Sequence, residues 1–219
     1  MDTVALLHGI ANRAASLYRI ELALRAAGYN ARGVNYPSTS CSIDEIVDRI
    51  DAQLTTLAAQ TPGRLHIVAH SMGGLVARAW LARRRAQNTG ALVMLGTPNG
   101  GSELADRLSR YGFYRMFGPA GAQLTTAAAP DLNRDLGRPY YPVGVIAGDR
   151  SVNPLAWRVF PCAHDGAVSV EASRLDGMTD HIVMPVSHTL MLLDRRVIAQ
   201  TLHFLREGRF VHADRAAAA

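Results

Sequence analysis

Residues 65–74 read Leu65-His66-Ile67-Val68-Ala69-His70-Ser71-Met72-Gly73-Gly74, and Leu75, Val76, Ala79 and Trp80 follow. The first five form a short aliphatic run suited to a buried strand, and the residues after Met72 carry apolar side chains at helical spacing. Only a sharp turn fits between them. Such a turn holds its serine in a strained conformation with the hydroxyl above the end of a sheet. It also needs small residues two positions to either side, here Ala69 and Gly73, because strand and helix pack closely there. Ser71 is therefore the candidate nucleophile.

The same alternation extends outward in both directions. Further strands are expected at Thr3 to Leu7, Ala31 to Tyr36, Ala91 to Leu95, Val143 to Ala147 and His181 to Pro185. Helices are expected at Arg13 to Ala27, Ser42 to Ala59, Met72 to Arg85 and Leu190 to Glu207. Short apolar runs separated by amphipathic stretches are the pattern of parallel strands joined by crossover helices, an α/β fold. Ser42 and Glu45 form a capping box, and Gly28 stops the first helix. The interval between Leu95 and Val143 is too long for a simple crossover. Its aromatic and arginine-rich first part, followed by Gly118 to Gly121 and Asp131 to Pro139, reads as a small helical cap and then a loop. No internal repeat breaks the chain, so residues 1–212 are expected to make one domain with a cap at 101–140, and residues 213–219 a disordered tail or cloning remnant.

A serine nucleophile needs a base and a place for negative charge. When an acyl carbonyl is attacked, its oxygen becomes an oxyanion, and one preorganised backbone N–H aimed at it contributes on the order of 3 kcal/mol. The donors are expected on Ile10, in His8-Gly9-Ile10 at the end of the first strand, and on Met72. His8 is expected to hold that loop, not to carry protons. Of eight histidines, His188 lies past the final strand and before the final helix, where a base can reach Ser71. His66 falls inside a strand, His203 on the last helix and His212 near the chain end, and His70 should point away from its neighbour Ser71. His164 and His181 remain competitors.

Taken together, Leu6-Leu7-His8-Gly9, Tyr36-Pro37-Ser38, Val68 to Gly74, Leu95 to Ser102, Asp165 to Val168 and Ser187-His188-Thr189 resemble a bacterial lipase or esterase of the α/β-hydrolase superfamily. The likeness is to a small type with a reduced sheet, and it spans nearly the whole chain. It implies about six mostly parallel strands, a Ser-Asp-His triad, no metal, no organic cofactor, and a segment after Thr97-Pro98 that covers the acyl pocket. Ala69 stands where the family has the first glycine of its nucleophile motif. Asp149 and Asp165 both occupy an order that suits the third triad member, and the likeness of Asp165-Gly166-Ala167-Val168 to the family's acidic loop selects Asp165. Phe113, Met116, Phe117 and Leu124 are the apolar candidates for the substrate entrance.

Composition narrows the function classes. The chain has 219 residues, and its 23 basic residues, all arginine, exceed 18 acidic ones. No aromatic interleaving or reading motif accompanies that excess, which speaks against nucleic acid as partner. No run is long enough to span a membrane, and no leader pattern precedes the first strand, so a cytoplasmic protein is expected; a mature secreted form would look the same. Cys41 and Cys162 are read as free thiols, with one disulfide left open. The expected activity is hydrolysis of short to medium carboxylic esters, with a small-molecule or lipid ester as substrate. A thioesterase, amidase or acyltransferase would use the same residues, and a non-catalytic binding protein could share the scaffold.

Overall fold

The computed structural model describes residues 1–152, 156 and 159–212. Six strands form one parallel sheet in the order β2-β1-β3-β4-β5-β6: β1 is Thr3–Leu7, β2 Asn30–Val34, β3 Leu65–His70, β4 Thr89–Leu95, β5 Val143–Gly148 and β6 Asp180–Met184. β1 and β3 are fully buried along their length, as expected of central parallel strands covered on both faces, whereas β6 at the edge buries only Met184. The strands all fall where the apolar runs placed them, with ends shifted by one or two residues. The largest difference is at β2, which stops at Val34. Tyr36 leaves the ladder because its N–H turns toward His8 Nε2 at 3.4 Å.

Helices cover both faces. On one side α1 (Tyr18–Ala26) and α8 (Arg195–Glu207) close a core with Leu17, Ile20, Leu24, Val197 and Phe204. On the other, α2 (Ile43–Gln60) lays Ile43, Ile46, Val47, Ile50 and Leu54 against α3 (Met72–Arg84). Those spacings of three and four put one apolar stripe on α2. Ser42 and Glu45 make the reciprocal capping box. The last predicted helix divides into a 3-10 turn at Leu190–Leu192 and α8, because the Asp194 side chain accepts from the N–H groups of Arg196 and Val197 and restarts the helix.

Residues 101–140 fold as α4 (Glu103–Ser109), a 3-10 segment Gly112–Phe117, α5 (Gly118–Gln123) and α6 (Ala129–Leu136). The expectation of a loop over Asp131 to Pro139 is corrected here. Pro130 sits in the first turn of α6, where its missing N–H costs nothing, and Gly137 ends the helix with φ 64°. A four-residue helix α7 (Val170–Ser173) precedes β6. Residues 213–219, read as a tail, lie outside the described residues.

The strand order reverses between β1 and β3: the chain steps outward from β1 to β2, then returns to the far side of β1 and proceeds to β6. Open α/β sheets bind ligands at the carboxyl ends of their strands beside such a reversal. His8-Gly9-Ile10 follows β1 and Ser71 follows β3, so both lie at that point.

Candidate active site

Ser71 is the N-cap of α3 with φ 54° and ψ −128°, a backbone conformation that costs a non-glycine residue on the order of 1–3 kcal/mol. The surroundings compel it. A Cβ on Gly73 would lie 2.6 Å from the carbonyl oxygens of both Leu7 and His8, and one on Gly74 2.1 Å from Thr97 Oγ1. Thr97 Oγ1 in turn donates to the Ser71 carbonyl at 3.0 Å. The start of α3 is thereby pressed against the ends of β1 and β4.

Ser71 Oγ lies 3.0 Å from His188 Nε2, and His188 Nδ1 lies 2.7 Å from Asp165 Oδ2. The other carboxylate oxygen, Asp165 Oδ1, accepts from the N–H groups of Ala167 and Val168 at 2.9 and 2.8 Å. Gly166 permits that turn with φ 103°. The backbone secures the pair as well, since the His188 N–H donates to the Asp165 carbonyl at 2.9 Å. Burial disfavours a charged His188, yet the charge of Asp165 and its hydrogen bond outweigh this and hold the imidazole pKa above its ordinary value. With Nδ1–H given to the carboxylate, Nε2 is the free acceptor facing the serine hydroxyl.

Asp149 is not part of this arrangement. Its Oδ1 is buried without a hydrogen bond among the described residues, and Arg150 Nη1 stands 3.8 Å away. His8 stacks on Tyr36 with ring centroids 3.9 Å apart, and the Tyr36 hydroxyl donates to its carbonyl. His181 bonds Ser173, and His164 stacks on Phe160; neither meets Ser71.

Two contributors escape the sequence reading. His70 does not point away: its Nε2 lies 2.9 Å from the His188 carbonyl and its ring 4.8 Å from the His188 ring. Burial, then the neighbouring His188, pushes its pKa down to about 3. His70 is thus a neutral donor beneath His188, made possible because the turn at Ser71 redirects the chain immediately after it. Gly96, with φ 59°, lies against the pair: a Cβ there would be 2.9 Å from Asp165 Oδ2 and 3.0 Å from His188 Nδ1. Only the three-dimensional crossing of β4 with the loops after β5 and β6 shows that need.

The serine opens into a cleft of ≈ 220 Å³. Gly9 and Ile10 form one wall, Leu104, Leu108, Tyr114, Phe117 and Leu124 the cap side, and Ala167 and Val168 another part. Of the four expected entrance residues, Phe117 and Leu124 line it. Phe113 and Met116 do not; they are 55% and 69% exposed, and Phe113 stacks on Tyr111. The 3-10 geometry of Gly112–Phe117 repeats every three residues, so Tyr114 and Phe117 share the inward side. Met72, as first residue of α3, has an N–H that its helix cannot satisfy. Cys41 is buried and Cys162 exposed, both as free thiols. No helix among the described residues is long and apolar enough to cross a membrane.

Residues 40–129 match the PGAP1-like alpha/beta domain. No curated protein matches the chain. Among solved structures, the mature form of Bacillus licheniformis lipase BlEst2 superposes with a TM-score of 0.80 at 17% identity, covering 95% of this chain and 92% of that one. Phospholipase PlaB from Legionella pneumophila gives 0.72 at 18%, covering 95% and 60%. The Vlm2 thioesterase domain gives 0.58 at 16%, covering 96% and 94%. With its six parallel strands and these neighbours, the chain has the α/β-hydrolase fold seen in bacterial lipases and esterases.

Proposed function

We propose that this protein is a serine hydrolase that cleaves carboxylic esters of short to medium acyl chains through an acyl-serine intermediate. The observation that carries the reading is the continuous hydrogen-bonded line from Ser71 Oγ through His188 to Asp165 at the floor of a largely apolar cleft. Ser71 Oγ attacks the ester carbonyl while His188 Nε2 takes its proton, and Asp165 stabilises the imidazolium. The N–H groups of Ile10 and Met72 receive the oxyanion. Collapse breaks the bond to the alcohol, which leaves with the proton from His188. Water, deprotonated by the same imidazole, then attacks the acyl-serine and releases the acid. No step calls for a metal or an organic cofactor.

The limited volume of the cleft supports short to medium chains, since sites for drug-sized ligands run to about 300–1,000 Å³. Residues 101–140 act as a cover within the single domain, with Phe117 and Leu124 meeting the acyl chain. Small-molecule or lipid esters are the proposed substrates. A thioesterase reading draws on the likeness to the Vlm2 domain. The two separate in rates on matched ester and thioester substrates, because the acyl-enzyme is common and only the leaving group differs.

The test is a panel of nitrophenyl esters of increasing chain length, run with the wild type and Ser71→Ala beside fluorophosphonate labelling. Hydrolysis and labelling that vanish together in a folded Ser71→Ala support the reading. Labelling that persists in the variant would overturn it.

A further inference from the structure

Arg78 is only 2% exposed, and no carboxylate pairs with it among the described residues. It projects from α3, two turns beyond Ser71, at a cleft of ≈ 480 Å³ between α3, α6 and the segment after α7. Its Nη1 donates to Asn99 Oδ1 at 3.2 Å and Asn133 Oδ1 at 2.7 Å, and its Nη2 to the Gly137 carbonyl at 3.3 Å. All three acceptors are neutral. A guanidinium has five N–H donors, so the Nε hydrogen and one on Nη2 have no acceptor among the described residues.

Buried charges are ordinarily paired, because taking an ion out of water is costly. Even the exposed arginines of α3 have carboxylate partners, Arg83 with Asp48 and Arg84 with Asp51. Around Arg78 the cleft adds positive charge. Arg134, Arg138 and Arg174 line it, against Asp176 alone as a lining acid. Each of these three has an exposed carboxylate partner: Asp131, Asp176 and Glu171 respectively. Such exposed pairs are weak, and their arginines can turn to a stronger anion. Burial lowers the Arg78 pKa to about 10, which still leaves it charged at neutral pH.

We propose that this cleft is an anion site that takes a phosphate group, free or as a phosphate monoester, with Arg78 at its base and Arg134, Arg138 and Arg174 at its rim. The unused Nε and Nη2 donors of a guanidinium suit two oxygens of one phosphate, and a planar fork selects such an anion over chloride. The site is separate from the ester cleft. Asn99 lines the anion cleft and directly follows Pro98, which lines the ester cleft; its side chain also donates to the Ser173 carbonyl at 2.8 Å, and its carbonyl accepts from Asn133. A bound phosphate would therefore brace α6, at the base of the cap, against the loop that follows β4.

The experiment is calorimetric titration and thermal unfolding of the full chain with inorganic phosphate and with glycerol phosphate, against sodium chloride at equal ionic strength. The proposal expects saturable binding of at least one phosphate and a rise in Tm at millimolar concentration that chloride does not give. Arg138→Ala/Arg174→Ala, changed only at the exposed rim, should weaken binding about tenfold through lost charge. Arg78→Lys, confirmed folded by circular dichroism, should weaken it further because an ammonium cannot present the fork. Stronger binding of glycerol phosphate than of inorganic phosphate would assign the site to monoesters, and the reverse to the free ion. The absence of a phosphate-specific effect in the wild type would overturn the proposal, as would undiminished binding in the double rim variant. Because the readout is binding, a failure here is distinct from any failure of ester hydrolysis.

Discussion

Gly96 lies so close to His188 that a single methyl group would intrude on the imidazole, with the added carbon 3.0 Å from Nδ1 and 2.9 Å from the Asp165 oxygen bonded to it. The residue also has φ 59°, which an L side chain adopts at a cost of roughly 1–2 kcal/mol. Gly96→Ala should therefore fold with reduced stability and lose activity about 10²-fold, since a displacement of about 1 Å at a reacting group costs that much. Steady-state kinetics on a folded variant check this. Wild-type kcat would show that the triad does not depend on that close approach.

Activity should rise with pH as His188 loses its proton, because only the neutral imidazole accepts the serine proton. The Asp165 charge and hydrogen bond raise its pKa above the ordinary histidine value despite burial. The acidic limb of kcat/KM should accordingly lie above pH about 6.5. His70, with its pKa near 3, stays neutral throughout that range. In Asp165→Asn the limb should move to lower pH, since the group that stabilises the imidazolium is gone. A limb unmoved by this substitution would detach the titration from the pair.

Asp165→Asn should lower kcat by on the order of 10³ to 10⁴, whereas Asp149→Asn should cost far less. The ranking follows from contact: Asp165 meets His188 at 2.7 Å, and among the described residues the ionic partner of Asp149 is Arg150 at 3.8 Å. The reverse order in two folded variants would transfer the role to Asp149.

Phe117→Ala should change the preferred ester chain length, because the ring lines the cleft. Phe113→Ala should leave it unchanged, its ring being exposed and stacked on Tyr111. A nitrophenyl ester series measured on both variants separates them. Equal effects would mean that the cap rearranges when substrate enters.

What was legible in the sequence followed the range over which each signal acts. The strand and helix at Leu65 to Arg84 could be read because periodicity is local, and the strain at Ser71 followed from the turn forced between them. Ser42 and Glu45 were readable as a cap for the same reason. The division of the cap residues into inward Phe117 and outward Phe113 was hidden, because a 3-10 segment and an α-helix assign different faces to the same residues. His70 was misplaced by a rule for regular strands, which ceases to hold at the residue where the chain turns. Gly96 carried no local sign, since its constraint comes from residues 69 and 92 positions further along.

The conformation of Ser71 has a consequence for anyone who screens this protein for heat tolerance. A glycine at position 71 relieves a backbone strained to φ 54°, a gain of about 1–3 kcal/mol against roughly 0.5–1 lost to the greater freedom of glycine when unfolded. Ser71→Gly should therefore melt higher than the wild type while hydrolysing nothing. Selection for thermal resistance alone would steer toward the loss of the one hydroxyl on which the proposed chemistry depends, so any such screen must keep turnover as its second criterion.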